Sequence, residues 1–242
     1  MKSGVWSFSV ATLVAFAAGV THSEAQTYNE SFTGNSLPSG FSVVFASGQG
    51  ITPSVSYTSN GVVFNNTNEA HRVFLRTDFN NYIANDFTAS LVAEIPDNIF
   101  FFGIGKAASI IYPEPTDVIG TRSHSVSWGQ QNGFIDGTTT SSLGSANFSD
   151  YASQFVLQWT ASTRTAVFTI YDYNSSGGLV ATHSRTIDGS NNGFTANNSY
   201  LYFGGAEGIT VRNFVVIPEP STFASLLAAA ALGLTVVRRR QR

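Results

Sequence analysis

The feature that most constrains the fold is an alternation of apolar and polar residues with a period of two. In the segment Asp86–Ile95 every second residue from Phe87 is apolar, which places these side chains on one face of an extended strand. Two further runs, Phe155–Thr160 and Thr165–Tyr173, repeat the alternation. The short connection between them, Ala161–Arg164, predicts a β-hairpin.

Other short runs predict eight more strands, separated by clusters of Gly, Asn and Ser. These strands are Gly40–Ala46, Gly61–Phe64, Arg72–Phe79, Ile99–Ile104, Ser123–Trp128, Leu179–Ile187, Tyr200–Phe203 and Ile209–Val216. No window outside the two chain ends shows ten residues of helical amphipathicity. The chain is therefore predicted to be all-β, with one antiparallel β-sandwich domain over residues 26–216.

The last 26 residues, 217–242, have a different composition. Pro218-Glu219-Pro220-Ser221-Thr222 precedes the uncharged, mostly apolar segment Phe223–Val237, and Arg238, Arg239 and Arg240 follow. As a helix the apolar segment would reach about 22 Å, because each residue adds about 1.5 Å. A bilayer span needs about 20 apolar residues. With fifteen residues, this segment is marginal as a permanent span. It is interpreted as a short C-terminal membrane helix with the arginines on the cytoplasmic side, and the alternative is a C-terminal helix packed on the domain.

These three parts, in this order, resemble the tail of the PEP-CTERM proteins of Gram-negative, exopolysaccharide-producing bacteria. The resemblance implies an exosortase-type processing enzyme as partner and a transient stay in the inner membrane. It also implies delivery to the cell envelope or extracellular matrix. A second triplet, Pro113-Glu114-Pro115, is interpreted as a loop, because charged residues and no apolar run follow it.

The N-terminal residues 1–25 predict a cleaved signal peptide. Lys2 gives the positive start, Val5–Val20 the apolar stretch, and Ser23 and Ala25 the small residues before a cleavage site at Gln26. A retained signal anchor is the alternative. The chain has no cysteine, which excludes a lipoprotein anchor and disulfides.

Residues 26–216 contain seven basic and thirteen acidic residues, for a net charge near −6. This balance argues against nucleic acid as a partner, because such binding needs clustered Lys and Arg. Ser, Thr, Asn and Gly are abundant, so the polar surface is largely uncharged. Such a surface suits sugar hydroxyls.

Three short segments resemble the concanavalin A-like (laminin G-like) jelly rolls. They are the opening Tyr28–Gly34 with Leu37–Phe41, the late hairpin Phe155–Tyr173, and the closing Tyr202–Gly205 with Val211–Val216. The resemblance implies a jelly-roll sandwich. Because this fold serves lectins, glycosidases and adhesion modules, it does not decide among them.

No catalytic motif is found. Gly103-Ile104-Gly105-Lys106-Ala107-Ala108 fits a dinucleotide pattern, but the following residues favour a strand that ends in a glycine bend. Glu94 and Asp97 are the nearest acidic pair, and Pro96 between them argues against a shared face for glycoside hydrolysis. The chain is therefore predicted not to be an enzyme.

No cofactor is predicted. His71, His124 and His183 lack the short spacings of a zinc site and are interpreted as surface strand residues. Calcium remains possible through loop carboxylates, for which Asp86, Asp136 and Asp150 are the candidates, although nothing selects them.

The stretch from Lys106 to Ser142 has the least regular pattern and holds the candidate ligand-binding residues. Sugar sites combine an aromatic face with side-chain amides and charged groups on loops. The candidates are Tyr112, Arg122, His124, Trp128, Gln130, Asn132 and Asp136. The competing interpretation makes Trp128 a core residue and the amides turn formers, and it assigns Phe100-Phe101-Phe102 to the core.

Three functions follow from these observations. The first is an exported envelope or matrix protein with a non-catalytic sandwich that binds a glycan, such as the exopolysaccharide. The second is a structural or adhesive matrix protein without a small ligand. The third is a hydrolase or lyase that acts on the matrix polysaccharide.

Overall fold

The computed structural model describes residues 25–45, 54–65, 72–96, 99–107, 118–124, 133–137, 139–142, 152–190 and 193–219. These contain fifteen strands and one short 3₁₀ turn, Tyr82–Ala84. In chain order the strands are β1 (Tyr28–Glu30), β2 (Phe41–Phe45), β3 (Ser54–Thr58), β4 (Gly61–Asn65), β5 (Val73–Thr77), β6 (Phe87–Glu94), β7 (Ile99–Gly105), β8 (Val118–His124), β9 (Gly133–Gly137), β10 (Thr139–Ser142), β11 (Ala152–Thr160), β12 (Thr165–Tyr173), β13 (Leu179–Asp188), β14 (Tyr200–Gly205) and β15 (Thr210–Pro218).

The strands form two antiparallel sheets. The first sheet has the order β13-β12-β11-β6-β15-β4-β3, and β1 also pairs with β15. The second sheet has the order β10-β9-β8-β7-β14-β5-β2. The prediction of an all-β antiparallel sandwich is confirmed, and so is the hairpin between β11 and β12.

The core lies between the sheets. Alternate residues of β6, β11 and β12 are buried, and they meet the inner face of the second sheet. Two aromatic pairs join the layers: Phe100 and Phe155, and Phe203 and Phe214, each with ring centroids 4.9 Å apart. Burial of each such ring stabilises the fold by roughly 1.5–3 kcal/mol.

The first and last strands of the domain, β1 and β15, place the two chain termini of the domain at the same end of the sandwich. Tyr28 of β1 pairs with Val216 of β15, so the chain before β1 and the chain after β15 leave in the same direction. We call this the termini end. Glu94 and Ala152 pair at the opposite end, which we call the far end. The eight residues of β6 separate the two ends by about 23 Å, because a strand rises about 3.3 Å per residue.

The end of β15 belongs to the sheet. Pro218 pairs with Phe87, the Glu219 N–H donates to the Asp86 carbonyl at 2.9 Å, and the Thr88 hydroxyl donates to the Glu219 carboxylate at 2.9 Å. The boundary at residue 217 lies within this strand. The remainder of the tail, and residues 1–24, lie outside the described residues.

The strand expected at Ser123–Trp128 is wrong in position, because β8 starts five residues earlier at Val118. Val118, Ile119 and Thr121 are all buried, so β8 faces apolar surroundings on both sides and shows no alternation in sequence. Strands β9 and β10 also lie in the stretch expected to be irregular, and β3 was missed. The strand ending at Gly105 confirms the interpretation of Gly103–Ala108.

Candidate functional site

The outer face of the second sheet is apolar, which is unusual for the solvent side of an antiparallel sandwich. The side chains on this face form a second buried cluster, apart from the main core. Its members are Phe74, Phe101, Val118, Ile135 and Tyr202, each at most 2 % exposed, with Val44 and Tyr200 packed against them. Phe101 therefore packs on the opposite side of the sheet from Phe100 and Phe102, which lie in the main core.

Two glycines lie at the middle of this outer face. Gly103 of β7 pairs with Gly120 of β8. A Cβ atom at Gly103 would lie 2.1 Å from the Ile119 carbonyl oxygen, and one at Gly120 would lie 2.8 Å from the Phe101 ring. A side chain at position 120 would therefore collide with Phe101, so the Phe101 ring packs here only because Gly120 has none.

At the termini end, the same face becomes polar and accessible. The Arg76 guanidinium lies over the Tyr200 ring, 4.5 Å from its centroid, and the Tyr200 and Tyr202 rings are 6.3 Å apart. The Ser42 hydroxyl donates to the Asp78 carboxylate at 2.5 Å. Asp78 directly follows β5, in which Arg76 pairs with Tyr202 on one side and Ser42 on the other. We call Ser42, Arg76, Asp78, Tyr200 and Tyr202 the Tyr200 cluster.

The electrostatics of the cluster follow from its partial burial. Asp78 is exposed, Ser42, Arg76 and Tyr200 are partly exposed, and Tyr202 is buried. Burial raises the pKa of Tyr202, although nearby Arg76 acts in the opposite direction. The Tyr202 hydroxyl donates a hydrogen bond to the Lys106 carbonyl oxygen at 2.7 Å. The Arg76 Nε is buried and has no hydrogen-bond partner among the described residues.

These groups together can bind a polyhydroxylated ligand. The Tyr200 ring offers a flat apolar surface, and stacking against Arg76 holds it in place. The Asp78 carboxylate accepts hydrogen bonds, the guanidinium donates them, and the Ser42 hydroxyl does both. The buried Arg76 Nε, which has no partner among the described residues, is a donor of the kind that an ordered water satisfies.

Of the residues proposed from the sequence, the structure describes three in the strands of the second sheet. Arg122 is buried on the outer face, where it pairs with Phe101 and Gly133. His124 ends β8 opposite Ile99, and Asp136 of β9 pairs with Ile119. Only the backbone is described at these last two positions. In this register the positions of Asp136 and Arg122 are three residues apart along the strands.

The other four proposed residues, Tyr112, Trp128, Gln130 and Asn132, lie outside the described residues. Tyr112 belongs to the connection between β7 and β8, and the remaining three belong to the connection between β8 and β9. The two connections leave β8 at opposite ends, about 20 Å apart along a strand of seven residues.

Sequence reasoning missed every member of the Tyr200 cluster. Arg76 and Asp78 come from the end of one strand, and Tyr200 and Tyr202 come from a strand more than 120 positions later. A local window cannot connect them. The alternation Tyr200-Leu201-Tyr202-Phe203 was a usable signal, because it places two tyrosines on one face and two core residues on the other.

The acidic residues considered for catalysis and calcium have structural partners where they are described. The Glu94 carboxylate forms an ion pair with Arg212. The Asp86 carboxylate accepts a hydrogen bond from the Ala161 N–H at 2.7 Å and so braces the β11–β12 turn. Asp97 and Asp150 lie outside the described residues. Within the described ranges, no three His, Cys, Asp or Glu side chains lie together as a metal site would need.

In the same ranges, no helix has the length and apolar character needed to cross a membrane. The apolar segment Phe223–Val237 lies outside them. His183 is partly exposed on β13, which confirms its interpretation as a surface strand residue, and His71 lies outside.

Comparison with solved structures identifies the fold. Lectin II from Ulex europaeus matches with a TM-score of 0.54 over 82 % of this chain and 100 % of that chain, at 12 % identity. The fold is that of the legume lectins. Lectin I from the same plant, solved with the methyl glycoside of α-L-fucose, matches with a TM-score of 0.54 at 11 % identity, over 79 % of this chain and 96 % of that chain.

The exoplasmic/lumenal domain of VIP36, in a Ca²⁺/Man2-bound form, has a TM-score of 0.50 at 6 % identity over 82 % of this chain and 91 % of that chain. No protein-family model matches the chain, and no curated protein does. At these identities the likeness establishes the fold alone, so function must be argued from the residues.

Proposed function

We propose that this chain is an exported cell-envelope or matrix protein whose lectin-fold domain binds a glycan without catalysis. The observation that carries the proposal is the Tyr200 cluster, in which an aromatic ring, a guanidinium, a carboxylate and a hydroxyl converge on one accessible face. The lectins among the structures that share the fold add support.

In this proposal the face of the Tyr200 ring opposite Arg76 contacts the apolar C–H face of a sugar ring. Arg76 and Asp78 provide the donors and acceptors for its hydroxyls, and Ser42 holds the Asp78 carboxylate in position. Because Arg76 already stacks on Tyr200, little side-chain freedom is lost when the sugar binds. Such pre-organisation lowers the entropic cost of binding, so a small number of contacts can give a measurable affinity.

A non-catalytic role is proposed because Glu94, from the acidic pair considered for hydrolysis, is held in an ion pair. Glycoside hydrolysis needs two carboxyl groups across the scissile bond, within about 10 Å of each other. Glu94 is instead paired with a cation. The lectin neighbours agree with this proposal.

The test of binding is a glycan array probed with the full chain, carrying neutral and acidic bacterial polysaccharides. The proposal predicts saturable binding to at least one polysaccharide. Absence of binding to every polysaccharide, including those of the source organism, would contradict it and favour a purely structural matrix protein.

Export and sorting are part of the proposal. The start of β1 and the end of β15 lie at the same end of the sandwich. Both proposed targeting segments can therefore reach one membrane surface. The proposed partners are an exosortase-type enzyme that acts on the tail, the inner membrane during transit and the exopolysaccharide afterwards. No cofactor is proposed.

Deletion of residues 238–242, or the substitution Pro220→Ala, tests sorting without changing β15. The expected result is a changed mature mass or a shift between membrane and released fractions. Pro218→Ala is less suitable, because Pro218 pairs with Phe87 in the sheet. An unchanged mass and unchanged fractionation in both variants would contradict the sorting proposal.

A further inference from the structure

A second candidate site lies in the first sheet, at the far end of the sandwich. A cavity of about 320 Å³ opens there beside the β12–β13 turn. It is lined by Glu94, Ala152, Tyr173, Asn174, Ser175, Gly177 and Arg212. Its volume lies at the lower end of the range of small-molecule sites, about 300–1,000 Å³.

The rim of this cavity is rigid. The Asn174 side-chain oxygen accepts hydrogen bonds from the Ser176 N–H at 3.1 Å, the Ser176 hydroxyl at 2.7 Å and the Gly178 N–H at 2.9 Å. Gly177 has a φ of 78°, which a residue with a side chain rarely adopts. The turn is therefore fixed before any ligand arrives, which lowers the entropic cost of binding.

A β-bulge shapes the floor. The pairing of β15 with β6 shifts register between Arg212 and Val215, and Asn213 adopts a φ of 55°. Bulges re-aim side chains and are frequent next to functional sites. Here the side chain just before the bulge, Arg212, reaches across to Glu94 on the neighbouring strand.

The ion pair determines which ligands the cavity accepts. Arg212 and Glu94 are 28 % and 35 % exposed, so both remain within reach of a ligand. Together they carry no net charge, yet they offer guanidinium donors and carboxylate acceptors side by side. The Glu94 carboxylate would repel an anionic ligand, and the Arg212 guanidinium would repel a cationic one. An uncharged ligand with several hydroxyls can use both groups, and Tyr173 also lines the cavity.

We propose that the Glu94–Arg212 cavity is a second saccharide site, selective for an uncharged sugar residue. It lies on the other sheet and at the other end from the Tyr200 cluster. If the proposed function of that cluster holds, the domain is bivalent, and one molecule can join two polysaccharide chains. The two sites are too far apart to bind adjacent sugar units of one chain. A domain with both sites can therefore cross-link a polysaccharide by binding two of its chains.

Amide-resolved NMR of the full chain in detergent reports on the two sites separately. The probes are the methyl glycosides of glucose, galactose, mannose and fucose, with glucuronic acid as the anionic comparison. We expect a neutral glycoside to shift the amides of Ser175–Gly178 and Arg212 saturably, with an affinity at least ten-fold above that of glucuronic acid.

The double variant Glu94→Gln with Arg212→Met should lose these shifts. Removing both partners leaves no unpaired charge at the site. The matched control Arg185→Met, an exposed arginine on β13, should keep them. Shifts that persist in the double variant, or that are equal for glucuronic acid, would overturn the assignment.

The outcomes also separate the two proposals. Saturable shifts near Tyr200 without shifts at Ser175–Gly178 would overturn the second site and leave the proposed function intact. Shifts at Ser175–Gly178 alone would support the second site and contradict the role of the Tyr200 cluster. With both sites active, wild-type protein should precipitate a branched neutral polysaccharide that carries the sugar bound in the NMR titration, and either single-site variant should not.

Discussion

The outer faces of the two sheets differ, although both sheets use the same antiparallel pairing. On the first sheet, the outward residues of β6, β11 and β12 are mostly Thr, Ser, Gln and Val, and they are partly exposed. On the second sheet, the outward residues around Phe101 are apolar and buried. The first face resembles an ordinary solvated surface, whereas the second is a hydrophobic layer with a polar, aromatic border at Tyr200.

The difference shows where function can be sought. Away from the Glu94–Arg212 cavity, the alternating side chains of the first face are those of an ordinary solvated surface. An apolar outer face with glycines at its centre requires a specific packing arrangement, and its accessible border is where an aromatic ring stays available.

The largest effect is expected for Gly103→Val. The new Cβ would lie 2.1 Å from the Ile119 carbonyl oxygen, which is backbone and cannot rotate away. We expect the free energy of unfolding to fall by more than about 4 kcal/mol. The matched control is Ser90→Val, at a partly exposed position of β6 in the first sheet, which should change it by less than about 1 kcal/mol. Chemical denaturation measures both, and a tolerated Gly103→Val would contradict the close packing of this face.

A smaller loss is expected for Phe101→Ala. Because this ring is 2 % exposed, its removal should cost about 3 kcal/mol, as for a ring in the main core. Val156→Ala, on the outer face of the first sheet, should cost less than about 1 kcal/mol. Equal, small losses at both positions would mean that the outer face of the second sheet is not a packed layer.

Alkaline pH provides a third test. Burial raises the pKa of Tyr28, Tyr57, Tyr82 and Tyr202 above the ordinary value of 10.0. In the folded state these phenols keep their protons at a pH where the unfolded chain loses them. Stability is therefore retained below about pH 10 and lost as the pH rises further, by at most about 1.4 kcal/mol per pH unit and group.

The variant Tyr202→Phe should lose less stability than the wild type between pH 9 and 11, because one of these groups is gone. Thermal unfolding at fixed ionic strength over roughly this range of pH measures the difference. An identical pH dependence in both proteins would contradict the burial of the Tyr202 hydroxyl.

The smallest effect is expected for Thr169→Val. The Thr169 and Ser184 hydroxyls are 3.1 Å apart on the outer face of the first sheet, where water can replace either partner. We expect a change in the free energy of unfolding of less than about 0.5 kcal/mol. A loss above about 1.5 kcal/mol would show that the outer face of the first sheet is not a simple solvated surface.

The same contrast explains what could be predicted from the sequence. Strands β6, β11 and β12 alternate because only one face is buried. The bounds of β6 and β12 were predicted to within one residue, whereas β11 starts three residues before its predicted start at Phe155. Strand β8 is buried on both faces, so its sequence does not alternate between apolar and polar residues. Its position was therefore predicted wrongly. The Tyr200 cluster depends on pairing between β2, β5 and β14, which no local pattern contains.

The Glu94–Arg212 pair was missed for a similar reason. Glu94 was noticed only beside Asp97, which is close in sequence. Its actual partner lies 118 positions away and reaches it through the pairing of β6 with β15. Long-range register, and not composition, brings such groups together.

The central claim is that the polar border of the second sheet binds a glycan. The most direct measurement is a calorimetric titration of the full chain with the polysaccharide fragment that gives the strongest array signal. Tyr200→Ala should raise Kd at least ten-fold, whereas Tyr171→Ala, a partly exposed tyrosine on the outer face of the first sheet, should leave it unchanged. An unchanged Kd in Tyr200→Ala, with folding intact, would contradict the account.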